Sequence, residues 1–106
     1  MPILLQMDFP TEGPFGPAMT EAFTELARSI NDEPGFLWKI WTENQETEEA
    51  GGIYLFESQE TAQRYLRKHS ERLSQFGVTG IRARTFQVNE ALSAINHAGG
   101  VVAATP

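Results

Sequence analysis

EPGFLWKIWTE, residues 33–43, predicts a turn followed by a β-strand with bulky side chains on both faces. The turn signal is Pro34-Gly35. Strict alternation after it gives two sets of side chains, Phe36, Trp38 and Ile40 on one face and Leu37, Lys39 and Trp41 on the other. A strand with one face in water does not place a tryptophan on each side, so both sides of the sheet need a cover. We expect helices of the same chain on one side and the sheet of a second copy on the other, with large rings around the remaining space.

The segments around this strand predict three further strands and three helices. Pro17 suits the first turn of a helix, Ser58 suits an N-cap and Gly77 suits a helix end. Apolar spacing gives strands at 3–9, 36–43, 51–56 and 80–88, and helices at 17–30, 58–76 and 90–97. This βαββαβ order is typical of the α+β, ferredoxin-like fold, in which a four-stranded antiparallel sheet carries both helices on one face.

The sheet face without helices is apolar as well. In the third strand, Ile53 and Leu55 alternate with Tyr54 and Phe56, so neither side of the strand is polar. An exposed apolar patch of that size is unusual on a monomer. The sequence therefore predicts a homodimer through the open sheet face, which closes a dimeric α+β barrel.

Composition narrows the functional classes. The chain has 106 residues, no cysteine and a formal net charge of −6. It therefore has no disulfide or thiolate site, and its negative charge disfavours nucleic-acid binding. The nearest approach to a basic cluster is predicted to be a solvated helix face, formed by Arg64, Arg67, Lys68 and Arg72. No apolar run suits a signal peptide or a membrane span, so we expect a cytoplasmic domain over residues 1–97 and a flexible C-terminal tail over residues 98–106.

Motifs for metal and phosphate sites are missing from the sequence. The two histidines, His69 and His97, are 28 positions apart, so a zinc site is not expected. His97 lies beside the tail and is predicted to be inert. Gly51-Gly52 opens a strand rather than following one, so it predicts a close backbone approach and not a phosphate-binding loop.

Two blocks of the sequence carry a resemblance to a known family. They are Glu33 to Lys39 with Trp41-Thr42-Glu43, and Glu49 to Phe56, accompanied by Gly13-Pro14-Phe15-Gly16, Ser29-Ile30-Asn31, Val88-Asn89-Glu90, Leu92-Ser93 and Ile95-Asn96. With these residues in this order, the chain resembles the YdhR family of monooxygenases, within the dimeric α+β barrel superfamily. The resemblance implies a homodimer with a pocket between sheet and helices in each subunit. By analogy with relatives in the superfamily, it also implies oxygen insertion into an aromatic or polyketide-like substrate without metal or flavin.

His69 and Tyr65 are the candidate catalytic residues. His69 lies on the apolar face of the second helix, and Tyr65 lies one turn before it. A histidine there packs in the core or faces the pocket as a general base, because imidazole titrates near neutral pH. Removing a proton from an anthrone- or hydroquinone-type compound gives an anion that can donate an electron to oxygen. One well-placed base is then the only catalytic group that the protein needs for this step.

The candidate substrate-binding residues are aromatic or basic, namely Trp38, Trp41, Tyr54, Arg84 and Phe86. The tryptophans lie on opposite strand faces, so at most one of them lines a given cavity. In the predicted scheme, the tryptophans and Phe86 enclose the ring of the substrate, and Arg84 stabilises the negative charge that develops on it. For Arg82 and Arg84, pairing with Asp8 on the neighbouring strand is the structural alternative. Packing in the core or at the dimer interface stays open for the aromatic residues.

We therefore predict a cofactor-independent monooxygenase that acts on a small aromatic or enolisable, polyketide-like compound, with molecular oxygen as second substrate and no metal. Two alternatives stay open. A non-catalytic dimeric module that binds a hydrophobic small molecule needs the same aromatic pocket. An isomerase or decarboxylase of the same barrel type needs the same single base. A titratable group that faces the ligand favours an enzyme over a binding module.

Overall fold

The computed structural model describes residues 2–102. The elements in chain order are β1 (Ile3–Pro10), α1 (Gly16–Ile30), β2 (Phe36–Asn44), β3 (Glu49–Phe56), α2 (Gln59–Gln75), β4 (Arg82–Gln87) and α3 (Glu90–Ile95). The strands form one sheet in the order β2-β3-β1-β4, and each neighbouring pair is antiparallel. This arrangement confirms the α+β, ferredoxin-like fold predicted from the sequence. None of the described helices is long and apolar enough to cross a bilayer.

Local chemistry determines where α2 begins and ends. Ser58 Oγ accepts a hydrogen bond from the Thr61 backbone N–H at 3.2 Å, and Thr61 Oγ1 accepts one from the Ser58 N–H at 3.3 Å. This capping box satisfies two donors that the helix start leaves unpaired. At the other end, Gly77 has a φ of 86°, a left-handed conformation that ends the helix. Phe76 is 80% exposed there, so the face of α2 that packs against the core ends at Leu73.

The main core lies between one side of the sheet, which we call the helix face, and the helices α1 and α2. Its buried members are Ile3, Leu5 and Met7 of β1, Tyr54 and Phe56 of β3, Ile30 of α1, and Ala62 and Tyr65 of α2. Alternation along β1 produces this layer, because every second side chain points to the helices while Gln6 between them is exposed. The opposite side of the sheet is called the outer face below.

A β-bulge at Leu37 changes the predicted alternation of β2. Phe36 pairs with Phe56 and Trp38 pairs with Leu55, so Leu37 is an extra residue without a partner in β3. The extra residue moves Phe36 to the helix face, where it shares a side with Lys39 and Trp41. The prediction that Phe36 lies on the same face as Trp38 is therefore wrong. The prediction that the two tryptophans lie on opposite faces is confirmed.

The outer face has its own small apolar cluster, formed by Leu55, Val88 and Val102 with Leu4, Leu37 and Trp38 packed against them. The chain after α3 returns to this face, where the Trp38 indole N–H donates a hydrogen bond to the Val101 carbonyl. Val102 is 8% exposed. Within the segment predicted as a flexible tail, Val101 and Val102 therefore contact the sheet. Residues 103–106 lie outside the described part of the chain.

Large apolar side chains stay exposed on and beside the outer face. Ile40 and Phe86 lie on the face itself by strand register, and α3 and the segment after it add Leu92, Ile95 and Val101. Each is at least 41% exposed. This surface fits the homodimer predicted from the sequence, which stays a prediction.

Phe86→Glu is expected to weaken that homodimer, because it replaces an apolar contact with a carboxylate that loses hydration when the two sheets meet. We expect sedimentation velocity to show a shift toward monomer at micromolar protein concentration. The matched control is Phe76→Glu, which makes the same change at an exposed phenylalanine on the end of α2. A wild-type protein that is monomeric at all concentrations would contradict the predicted dimer.

Candidate active site

An apolar cavity lies between the helix face of the sheet and the helices α1 and α2. Its volume is about 60 Å³, and it is walled by residues of β1, the loop after β1, α1, β2, β3 and α2. The lining includes Lys39, Trp41, Tyr54 and His69. Within the described residues, no acidic side chain lines it. The cavity therefore combines aromatic walls with basic groups, in the position that the family resemblance implies.

His69 is the buried polar residue of this cavity, with 4% exposure. Its ring stacks on Tyr65, with the ring centroids 5.1 Å apart. Arg72 Nη2 donates to His69 Nδ1 at 2.9 Å. A guanidinium only donates, so Nδ1 accepts and the proton of the neutral ring resides on Nε2. Burial, with added repulsion from Arg72 and Lys39, lowers the pKa of His69 to about 3.

This pKa argues against the general-base role expected for His69. An imidazole that stays neutral down to about pH 3 is a weak base in the physiological range. The bonded Nδ1 makes it a fixed hydrogen-bond donor through Nε2 instead. The sequence identified the residue and its inward position, but not the cation beside it.

Tyr65 contacts Tyr54 and His69, which line the cavity, but does not line it itself. It is 1% exposed, and its hydroxyl donates to the Tyr54 hydroxyl at 3.4 Å. The two rings are in contact at 5.0 Å between centroids. Burial raises the pKa of both phenols, so neither serves as a phenolate base at neutral pH. Tyr54 lines the cavity, whereas Tyr65 reaches it only through Tyr54 and His69.

Lys39 is the functional candidate that the sequence analysis missed. Its Nζ lies 3.3 Å from the centroid of the Trp41 ring and 4.6 Å from that of Tyr54. Among the described residues, no carboxylate forms an ion pair with it. Burial, with added repulsion from Arg72, lowers the pKa of Lys39 to about 7. The available signal was a lysine between Leu37 and Trp41 in an otherwise apolar strand segment.

Arg72 corrects the prediction of a solvated basic face on α2. Arg64 and Arg67 are exposed as expected, and Lys68 pairs with Glu33 at 2.7 Å. Arg72 is only partly exposed, and it is the donor that orients His69. One cationic side chain of the helix is therefore part of the site.

Trp38, Arg84 and Phe86 are not brought to the cavity. Strand register places all three on the outer face, because Trp38 pairs with Leu55, and Arg84 and Phe86 pair with Gln6 and Leu4. Arg84 packs on the Phe86 ring at 5.4 Å. Period-two alternation separated these residues from the helix face, but the sequence alone did not show on which side the pocket would form.

Trp41 is the tryptophan that lines the cavity, and Phe23 of α1 stacks on it at 6.1 Å between centroids. Arg82, the other strand arginine, donates to Asp8 at 2.6 Å as expected for a cross-strand pair. His97 is exposed at the end of α3. No group of three or more His, Cys, Asp or Glu side chains in the described range is placed to hold a metal ion.

The chain matches the family described as "Putative mono-oxygenase ydhR" over residues 4–99. It belongs to the YdhR family of monooxygenases. The match covers both sequence blocks on which the resemblance rested, and it includes every side chain of the cavity named above. A comparison of the sequence with curated proteins gives no match.

Solved structures with the same fold share little sequence with this YdhR-family chain. SnoaB, a cofactor-independent oxygenase from Streptomyces nogalater, gives a TM-score of 0.59 at 13% identity over 83% of this chain and 93% of that chain. The ActVA-Orf6 monooxygenase of Streptomyces coelicolor, in complex with nanaomycin D, gives 0.54 at 19% over 82% and 87%. The heme-degrader MhuD from Mycobacterium tuberculosis, with two hemes bound, gives 0.56 at 19% over 81% and 95%. At these identities the likeness supports the shared fold alone.

Proposed function

We propose that this protein is a cofactor-independent monooxygenase that oxidises a small aromatic or enolisable compound in the cavity between the sheet and α2. The observation that carries the proposal is an aromatic-walled cavity that contains a lysine without an ion-pair partner among the described residues. Lys39 is a base of suitable strength, since a catalytic base works best when its pKa is near the operating pH. The family supports oxygen chemistry, and SnoaB supplies an example of an oxygenase of this fold without cofactor.

The chemistry needs only a base and a place to hold the resulting anion. Lys39 Nζ removes a proton from the activated C–H or O–H group of the substrate. The His69 Nε2 proton and the positive charge of Arg72 then stabilise the delocalised negative charge, which a water-free site makes more effective. The anion is electron-rich enough to reduce oxygen. The rings of Trp41 and Tyr54 supply flat apolar surfaces for an aromatic substrate.

The substrate supplies all the electrons that reduce O₂, so the reaction needs no other reductant. Oxidation of a ring CH₂ group to a ketone removes four electrons, and these reduce one O₂ molecule completely. One oxygen atom forms the new C=O bond, and the other leaves as water with the two hydrogens of the CH₂ group. This balance distinguishes the proposed reaction from an oxidase, which releases hydrogen peroxide and leaves no oxygen atom in its product.

The pH profile identifies the base. Because the neutral amine of Lys39 accepts the proton, we expect kcat/KM for a substrate that is neutral in solution to rise as the pH increases through about 7.

His69→Ala is expected to lower kcat/KM by about 10- to 100-fold through the lost donor, and to leave the inflection in place. Tyr65→Phe is expected to have a smaller effect, because it removes only the bond to Tyr54.

Stopped-flow or steady-state assays from pH 5.5 to 9 measure this profile. The decisive comparison is between His69→Ala and Lys39→Met. An inflection that persists in Lys39→Met and disappears in His69→Ala would assign the base to histidine, as the sequence alone predicted.

Oxygen uptake by metal-stripped protein tests the function itself. The substrates are a panel of anthrones, hydroquinones and related phenols, and each trace is corrected for spontaneous oxidation. We expect saturable uptake with at least one compound, unchanged by chelator. Binding of panel members without any uptake would favour the non-catalytic module. Conversion without uptake would favour the isomerase or decarboxylase.

A further inference from the structure

Lys39 occupies the position that an aromatic ligand would take. Its ammonium group lies over the faces of Trp41 and Tyr54, which are two of the aromatic rings that line the cavity. The free volume of about 60 Å³ is smaller than the roughly 150 Å³ that accommodates a benzene ring. A ring therefore enters only when the lysine side chain leaves the space between the two aromatic residues.

A second space is available to the displaced side chain. A groove of about 450 Å³ runs between α1 and β2, and both Lys39 and Trp41 line it as well as the cavity. Lys39 thus forms part of the wall between the two spaces. A small movement of its flexible stem takes Nζ toward the groove and enlarges the cavity without a change in the backbone.

The charges around Lys39 disfavour a cationic ligand and favour an anion. Arg72 and His69 face it from α2, and Tyr54 faces it from β3 with a phenol that burial keeps protonated. The residues of β1 and α1 that line the cavity carry no titratable side chain, and Arg28 of α1 adds a further positive charge at the groove. An ammonium group in this setting is paired only with aromatic rings, so an anion within reach gains a charge-assisted hydrogen bond that the free protein does not satisfy.

We propose that Lys39 determines ligand specificity, and that the site takes a planar aromatic compound as its oxyanion, a phenolate or an enolate. The ring replaces the ammonium group between Trp41 and Tyr54, and Nζ pairs with the oxyanion at the boundary with the groove. This inference rests on the proposed function and names the substrate class of the same site.

The proton balance allows two routes to one complex. A ligand that arrives as an anion pairs with the ammonium form of Lys39. A ligand that arrives as a neutral phenol or enol transfers its O–H proton to the neutral amine. Both routes end with an ammonium–oxyanion pair, so the bound ligand is ionised even when the free ligand is not.

Anaerobic binding tests this inference without turnover. The probe is 4-nitro-1-naphthol, with its methyl ether as the neutral isostere, titrated by calorimetry and by the absorption band of the naphtholate. We expect the wild type to bind the naphthol about 10- to 100-fold more tightly than the ether, as one charge-assisted contact predicts. We also expect the anion band to appear at a pH one unit below the pKa of the free probe.

The variants separate charge from packing. Lys39→Met removes the ammonium group and keeps an unbranched stem one atom shorter. It is expected to lose at least tenfold in naphthol affinity, with less than a twofold change for the ether. Lys39→Arg is expected to retain the preference. Arg67→Met removes one exposed positive charge of α2 and is expected to bind both probes as the wild type does.

Three results would overturn the inference. The first is a wild type that binds the naphthol no more tightly than its methyl ether. The second is a Lys39→Met variant that still binds the naphthol more tightly than the ether. The third is an affinity ratio of 2-naphthoate to 2-naphthamide that exceeds the ratio of the naphthol to its ether. The last would make the ligand a carboxylate. The binding titration is anaerobic, so its result does not depend on turnover. A protein that shows the predicted binding but takes up no oxygen in the aerobic assay refutes the proposed function and leaves this inference intact.

Discussion

Lys39→Met is expected to stabilise the protein while removing most of its activity. A lysine whose pKa is lowered from 10.5 to about 7 binds fewer protons in the folded state than in the unfolded state between these two pH values. The free energy of unfolding of the wild type therefore rises with pH across this window. Below pH 7 the folded protein contains the charged ammonium group and bears its full desolvation cost. Above pH 10.5 the cost disappears.

Methionine at position 39 removes that cost and fills a similar volume. We expect the variant to gain about 1–3 kcal/mol below pH 7, which is less than the whole pKa difference converts to because the side chain stays partly solvated. The gain should shrink as the pH rises toward 10. Urea unfolding at pH 6 and pH 9 measures both values. A variant less stable than the wild type at pH 6 would show that the cation–π contacts of Lys39 outweigh its desolvation.

The same variant is expected to lose about 100-fold or more in kcat/KM, the usual effect of removing a positioned general base. A stabilised and inactive variant is a frequent sign of a residue kept for function. The control for both measurements is Arg67→Met, which lies on the exposed side of α2. We expect it to change stability by no more than about 0.5 kcal/mol.

Gly51→Ala is expected to cause the largest loss of stability among single methyl additions in the sheet. A Cβ atom at Gly51 would lie 2.0 Å from the Met7 carbonyl oxygen and 2.7 Å from Asp8 Cα. Both are backbone atoms of the paired strand β1, so no side-chain rotation relieves the overlap. We expect a loss on the order of 4 kcal/mol, the range of severe core strain, and a lower yield of folded protein.

Thermal unfolding followed by circular dichroism measures this effect against two matched controls. Gly52→Ala places its Cβ 2.5 Å from Lys39 Cε, the mobile part of a side chain, and should cost much less. Gly100→Ala has open space around its Cβ and should be close to neutral. Equal melting temperatures for Gly51→Ala and Gly100→Ala would contradict the close approach of β3 and β1.

Much of the fold followed from local sequence signals. Apolar periodicity and the capping chemistry at Ser58 depend on neighbours within a few residues, so the sequence shows them directly. The bulge at Leu37 did not follow, because it depends on how β2 aligns with β3. That single extra residue placed Phe36 on the side of Lys39 and Trp41.

The candidate site was predictable in part. His69, Tyr54 and Trp41 line the cavity, and each was selected as a large or titratable side chain on an apolar face. Lys39 and Arg72 were missed because their importance comes from contacts between β2, β3 and α2 rather than from any motif. Burial also changed the expected chemistry, since it weakens His69 as a base and brings Lys39 into the physiological range.

Turnover of metal-stripped protein under ¹⁸O₂ shows whether the protein is a cofactor-independent monooxygenase. The substrate is the panel compound with the largest saturable oxygen uptake, and the product is analysed by mass spectrometry. We expect one ¹⁸O atom in each product molecule and the second in water, with no accumulation of hydrogen peroxide and with loss of the labelled product in Lys39→Met. A product that carries only solvent oxygen, or one molecule of peroxide released per turnover, would contradict it.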